Sequence, residues 1–200
     1  IALFRSWSLR QIETASETNV TSGLPSLQQL KASGTSGQGS LIALKLRNYG
    51  AIVASFESGV EARLAQEIAR RVRLGDTDAV IYHEGDKFLW VSQIANPIDV
   101  FEHLEGLHRL VQGGIVIEER DVDLSFNCGV DTSRSNPIEK RIANALQSAE
   151  QAVREDELVC IHDPSSEGAH WEISMLSDCD PSIDSGDVWG AYHVKLDLAS

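Results

Sequence analysis

The sequence predicts an α+β domain built on a central mixed sheet of about five strands, with helices on both faces. Three observations predict it. Apolar runs of strand length recur along the chain, at 41–46, 79–94, 115–130 and 158–162. One of them, AVIYHEGDKFLWVSQI, is broken in the middle by a short polar turn, which makes it a β-hairpin. Helical stretches come singly between the strands instead of alternating strictly with them, which argues against an all-parallel sheet.

Residues 1–18 read as a connector helix, because Leu3, Trp7, Leu9 and Ile12 fall near one face with Arg and Glu between them. NVTSGLPSLQQL carries the punctuators Gly23 and Pro25 ahead of a short helical run. KASGTSGQGS, 31–40, is a Gly/Ser loop expected to be exposed. LIALKL, 41–46, is the first strand. Val60, Leu64, Ile68 and Val72 step by four, the mark of an amphipathic helix over 59–74, with another helix expected before it. After the hairpin, Asn96 followed by Pro97 caps a helix that Gly113 and Gly114 close. IVIEERDVDLSFNCGV supplies two strands. Asn136 and Pro137 repeat the cap and open a helix that runs to about Arg154, and LVCIH is the last strand. The core is expected from Leu24 to His162.

The chain has 200 residues, of which 42% are hydrophobic and 24% charged, as in a soluble globular protein. A formal net charge of −13 argues against non-specific binding to nucleic acid or an anionic membrane, both of which need a basic face, and leaves room for a local basic pocket for a nucleotide. Cys128, Cys160 and Cys179 are sparse and unpaired in spacing, which fits buried thiols in a reducing compartment. No apolar run approaches the roughly 20 residues of a membrane span. The chain opens abruptly on IALFRSW, as a fragment of a longer protein would.

The hairpin carries the chemistry. Strand–EGDKF–strand resembles the signature hairpin of GGDEF domains, the bacterial diguanylate cyclases, which join two GTP molecules into cyclic di-GMP. NVTSGLPS is similar to the family's opening DxLTGLPN, VDLSFNCGV to its VSIGVA strand, and Asp78 falls where the family has an acid before the first hairpin strand. The resemblance spans residues 19–163 and implies a nucleotidyl cyclase-like fold with the hairpin at the former active site. HWEISMLSDCDPSIDSGDVWGAYHVKLDLAS, within 164–200, resembles the linker and first strand that lead into EAL domains, which hydrolyse cyclic di-GMP. In that strand the family's Tyr-Gln-Pro reads Tyr192, His193 and Val194. The resemblance further implies an EAL domain downstream and a sensor upstream in the same chain, with homodimerisation through the N-terminal helix. It implies a cytoplasmic location, as the cytoplasmic part of a membrane-anchored sensor.

The family's cofactor and substrate, Mg²⁺ and GTP, need hard oxygen ligands and room for a triphosphate. Register with the family places Lys45 where an aspartate binds metal. In the hairpin Glu84 replaces a glycine that lets the nucleotide approach, Lys87 replaces an acid, and Gly85, Asp86 and Phe88 are kept. Asp86 is thus a remnant metal ligand, and Gly85 with Asp86 a remnant of nucleotide binding. The family's Asn and Asp of FKxxND fall on Val53 and Ala54, and its later Gly-Asp on Glu61 and Ala62. The lysine near the end of the last helix is missing, with Arg154 nearby, and the arginine of the RxxD inhibition motif is missing over Gly75–Asp78.

No catalytic residue, cofactor or metal site is therefore expected. The reading that follows is a catalytically inactive regulatory or scaffold domain, not an enzyme. The alternatives are a GTP-binding allosteric sensor without turnover and an active cyclase using altered ligands. The bland readings stand beside it. Asp86 and Lys87 are ordinary solvated turn charges; Asp76 and Asp78 are turn or cap residues; His83 is a surface or packing histidine. His103 and His108 are badly spaced for a metal pair. Phe88, Leu89 and Trp90 anchor the hairpin.

Overall fold

The computed structural model describes residues 18–34, 39–56 and 59–162. The N-terminal connector and the segment from 164 onward lie outside the described residues.

Ser26 opens the first described helix, α1 (Leu27–Ala32), and its side chain accepts from Gln29 N. Strand β1 (Ser40–Leu46) follows, buried throughout except at the half-buried Lys45. Next come α2 (Tyr49–Ala54) and α3 (Val60–Gly75). The expected hairpin is β2 (Tyr82–Glu84) and β3 (Lys87–Ser92). Helix α4 (Pro97–Gln112) starts as its sequence cap demands: Asn96 Oδ1 accepts from Ile98 N at 3.0 Å. Strands β4 (Ile115–Ile117), β5 (Arg120–Val122) and β6 (Phe126–Asp131) precede α5 (Ile138–Glu155) and β7 (Val159–Ile161).

The central sheet has five strands in the order β2-β3-β1-β6-β7. Its pairings are antiparallel except β6 with β7, so the sheet is mixed, as the sequence predicts. Strand alternation divides β1 between two cores. Ile42, Leu44 and Leu46 pack with Leu64, Ile68, Val100 and Leu104 of α3 and α4. Leu41 and Ala43 pack with Leu27 and Leu30 of α1 and with Ile142 and Ala145 of α5. Helices therefore cover both faces.

Three expectations need correction. The stretch 115–130 holds three strands instead of two, because β4 and β5 form a separate two-stranded sheet. Their turn residues, Glu118 and Glu119, have φ of +50° and +63°. That geometry normally selects Asn-Gly, so no turn signal marks it in the sequence. Asn136 does not cap α5: its amide donates to Ser133 Oγ at 3.0 Å, Pro137 takes the cap position, and no side chain bonds there. The Gly/Ser loop ends buried, since Ser40 is 0% exposed and pairs with Ser92 of β3.

Candidate functional site

The end of β1 and the β2–β3 turn lie side by side. Lys45 is opposed by Lys87 on β3 and by Asn127 on β6, and Lys87 is opposed by Glu84 on β2. Directly opposed residues project from the same face, so Glu84, Lys87, Lys45 and Asn127 form a row across four strands. That face is the one α5 covers. Two lysines opposed in this way repel each other. Lys45 is relieved by an ion pair with Glu150 on α5. Two residues further on, Arg47 Nη1 meets Asp156 Oδ1 at 2.6 Å, at the C-cap of α5. Two cations of the β1 end are thus held by two acids of α5 and its cap.

The turn itself is fixed from inside. Gly85, at the first of the two turn positions, has φ +59°, which a side chain rarely adopts. Leu46 N donates to Asp86 O at 2.9 Å, tying the turn to β1. His83 is not a surface residue: it is 1% exposed and lies against Phe88, with ring centroids 4.6 Å apart. Its Nε2 lies 2.7 Å from Gly85 O, which can only accept, so the proton is on Nε2. Nδ1 then accepts from Ser22 Oγ at 2.9 Å. The turn preceding α1 closes the edge of β2 as well, through His83 N to Pro25 O at 2.9 Å and Asn19 Nδ2 to His83 O at 3.2 Å.

Burial holds the His83 ring below the ordinary value of 6.5, outweighing the carbonyl of Gly85 and the nearby Glu61, Asp86 and Glu84. The unfolded chain therefore binds a proton that the folded chain refuses. His83 contributes stability that is present above about pH 6.5 and is lost as pH falls toward its depressed folded value. Urea midpoints at pH 7 and pH 5 should differ less in His83→Gln than in the native chain. An equal difference in both would remove His83 from the account. His108, also lowered by burial, supplies part of the slope that remains.

Tyr49 heads α2, and its hydroxyl donates to Glu61 Oε1 in the first turn of α3 at 2.7 Å. Burial, then the bond to Glu61 and the charges of Glu61 and Asp86, pushes the phenol well above its usual range. Val53 of α2 is half-buried against the core. Of the positions where the resemblance puts the family's Asn-Asp and Gly-Asp pairs, Val53 is thus packed against the core, Ala54 is exposed and Glu61 is bonded to Tyr49.

Glu84 and Gly85 are exposed, whereas Asp86 and Lys87 are half-buried rather than fully solvated. Phe88, Leu89 and Trp90 are each 0% exposed, as expected of anchors. Arg154 and Asp78 are exposed. Among the described residues no three His, Cys, Asp or Glu side chains could hold a metal ion together. Burial pushes the thiols up, to about 12 at Cys128 and about 11 at Cys160, where Glu155 adds to it.

Sequence reasoning missed two polar centres, one on the buried Asp131 and Arg141 and one on Asp76. Asp76 is the C-cap of α3, as a cap reading implies, but its carboxylate does more. It accepts from Trp90 Nε1 at 2.7 Å, from Ser92 Oγ at 3.0 Å, and contacts His103 Nε2 at 3.1 Å. The available signal was Trp90 and Ser92, two apart on one strand face, and His103, next to the buried Leu104 on α4.

No family model matches the sequence, and no curated protein matches it. Solved structures match the fold. The chain has the fold of GGDEF domains, an α+β domain with a mixed five-stranded sheet and the β2–β3 hairpin on one edge. A diguanylate cyclase/phosphodiesterase from Caldicellulosiruptor saccharolyticus superposes with a TM-score of 0.61 at 14% identity, over 75% of this chain and 96% of that one. An EAL/GGDEF domain protein from M. capsulatus gives 0.61 at 19% identity, over 70% and 95%. The active GGEEF domain of a diguanylate cyclase from Vibrio cholerae gives 0.54 at 16% identity, over 62% and 82%.

Proposed function

We propose that residues 19–163 are a GGDEF-type domain of a cyclic di-GMP signalling protein that does not make cyclic di-GMP. It serves as a regulatory scaffold between an upstream sensor and a downstream EAL domain in the cytoplasm. One observation carries the reading: Lys45 stands at the strand end where the resemblance puts a metal-binding aspartate, and it is ion-paired with Glu150. Phosphoryl transfer is mostly positioning and neutralisation of charge by metal ions. An ammonium group at that place repels a dication, and Lys87 adds a second positive charge directly across from it. Asp86, the remaining acid, belongs to no group of three or more His, Cys, Asp or Glu side chains that could hold a metal ion among the described residues. The residues present do not fit Mg²⁺. Glu84 sets a carboxylate where a triphosphate would approach, and the Tyr49–Glu61 bond draws α2 and α3 together beside the hairpin.

The coupling to an EAL domain is supported by the resemblance of 164–200 and by the likeness to the EAL/GGDEF protein. A diguanylate cyclase in complex with its activator is another structural neighbour, a precedent for this fold receiving a protein partner. Among the described residues no helix is long and apolar enough to cross a membrane.

Incubating the chain with GTP and Mg²⁺ is expected to give no cyclic di-GMP by chromatography; steady product formation overturns the proposal. Calorimetric titration with GTP and Mg²⁺ tests the sensor reading separately. No heat above dilution at millimolar ligand is expected, and saturable binding without turnover would favour an allosteric GTP sensor instead.

A further inference from the structure

Beside β7, the first turn of α4 presents an apolar face that the described residues leave uncovered. Pro97, Ile98, Phe101 and Ile161 line a shallow cleft of about 340 Å³ with apolar side chains alone. Ile98 is 69% exposed and Phe101 39%. An isolated exposed isoleucine needs no explanation, but a cleft lined by contiguous apolar residues does. Its surroundings are acidic: Glu102 lies one helical turn after Ile98, Glu105 one turn after Phe101, and Asp99 sits between, all exposed. An occupant should therefore be apolar and basic.

We propose that the occupant is this chain's own N-terminal segment, residues 1–12. IALFRSWSLRQI carries Leu3, Phe4, Trp7 and Leu9 together with Arg5 and Arg10, and has no acid before Glu13, in a chain whose net charge is −13. Its charge and its apolar content both complement the cleft. The reach suffices. Thr18 is bridged to Pro25 beside β2, at the opposite edge of the sheet from β7. Five strands about 4.8 Å apart place those edges about 19 Å from each other. Residues 13–18 span up to about 20 Å when extended, so docking requires them to run extended and replaces the helical reading of 1–18 at these positions. It stands apart from the question of catalysis.

Hydrogen exchange of residues 3–12, read by mass spectrometry on the full chain, tests this. Two double variants are compared with the native chain: Ile98→Glu with Phe101→Glu, at exposed cleft positions, and Arg5→Glu with Arg10→Glu. Each should speed exchange in residues 3–12 by about tenfold or more, because a local docking equilibrium is lost. Thermal unfolding checks that the body is intact in both. Equal exchange in all three chains overturns the proposal. Protection that vanishes on dilution overturns it too, since the segment would then dock on a second copy.

Discussion

Replacing Asp131 with alanine is expected to lower the unfolding free energy by about 3–5 kcal/mol, the cost of leaving one partner of a buried ion pair alone. Asp131 and Arg141 are both 0% exposed. The carboxylate accepts from Arg141 Nε at 3.3 Å, from Asn144 Nδ2 at 2.7 Å, and from Ser133 N and Oγ at 2.9 and 2.5 Å. Without it, the guanidinium keeps only carbonyl acceptors, Gly39 O at 2.8 Å and Asp131 O at 3.4 Å. Among the described residues Arg141 Nη1 already lacks a hydrogen-bond partner, so the site has nothing to spare. Removing both charges should cost less than removing one, because no uncompensated ion remains. The double variant Asp131→Ala with Arg141→Met is therefore expected to be more stable than Asp131→Ala alone. Urea midpoints decide it. A single-variant loss below about 1 kcal/mol, or a double variant worse than the single, contradicts this account of the pair. The consequence reaches the candidate site, because this pair joins β6, α5 and the start of β1, and α5 carries the glutamate that holds Lys45.

Most of the fold was legible because its signals are local. The four-residue step of Val60, Leu64, Ile68 and Val72 marks α3, and all four side chains are buried. Asn96 with Pro97 marks α4 to the residue. What was illegible depends on partners far away in the chain. Lys45 could be read as a cation in the wrong place, but its pairing with Glu150 joins residues 105 apart. Asp76 gave a turn signal, while its three donors come from β3 and α4, up to 27 positions along. Asn136 and Asn96 look alike in sequence. They part because the Ser133 hydroxyl, held by Asp131, draws the Asn136 amide away from the helix end. The identity of the altered hairpin residues was legible. That Asp86 and Lys87 are half-buried, and that His83 is packed beneath the turn, required the structure.

Gly129→Ala is expected to cost about 3 kcal/mol or more, at or beyond the upper end of ordinary overpacking. Gly129 lies on β6 directly under α5. A Cβ there would stand 2.0 Å from Ala145 O, 2.1 Å from Ala149 N and 2.7 Å from Ser148 C. All three atoms belong to the helix backbone, so no side-chain rotation can make room. Helix α5 would have to lift from the sheet, and close-packed interiors resist that. Lifting it also pulls Glu150 away from Lys45, so the variant links the packing of the core to the charge arrangement of the candidate site. Gly106→Ala supplies the contrast. Gly106 lies within α4, and an added Cβ meets nothing within 4 Å. Alanine there should stabilise the chain by up to about 1 kcal/mol through helix propensity. Both variants remove a glycine, so the opposite signs isolate close approach as the cause. Equal thermal midpoints for the two would show that α5 does not press on β6 as closely as these distances require.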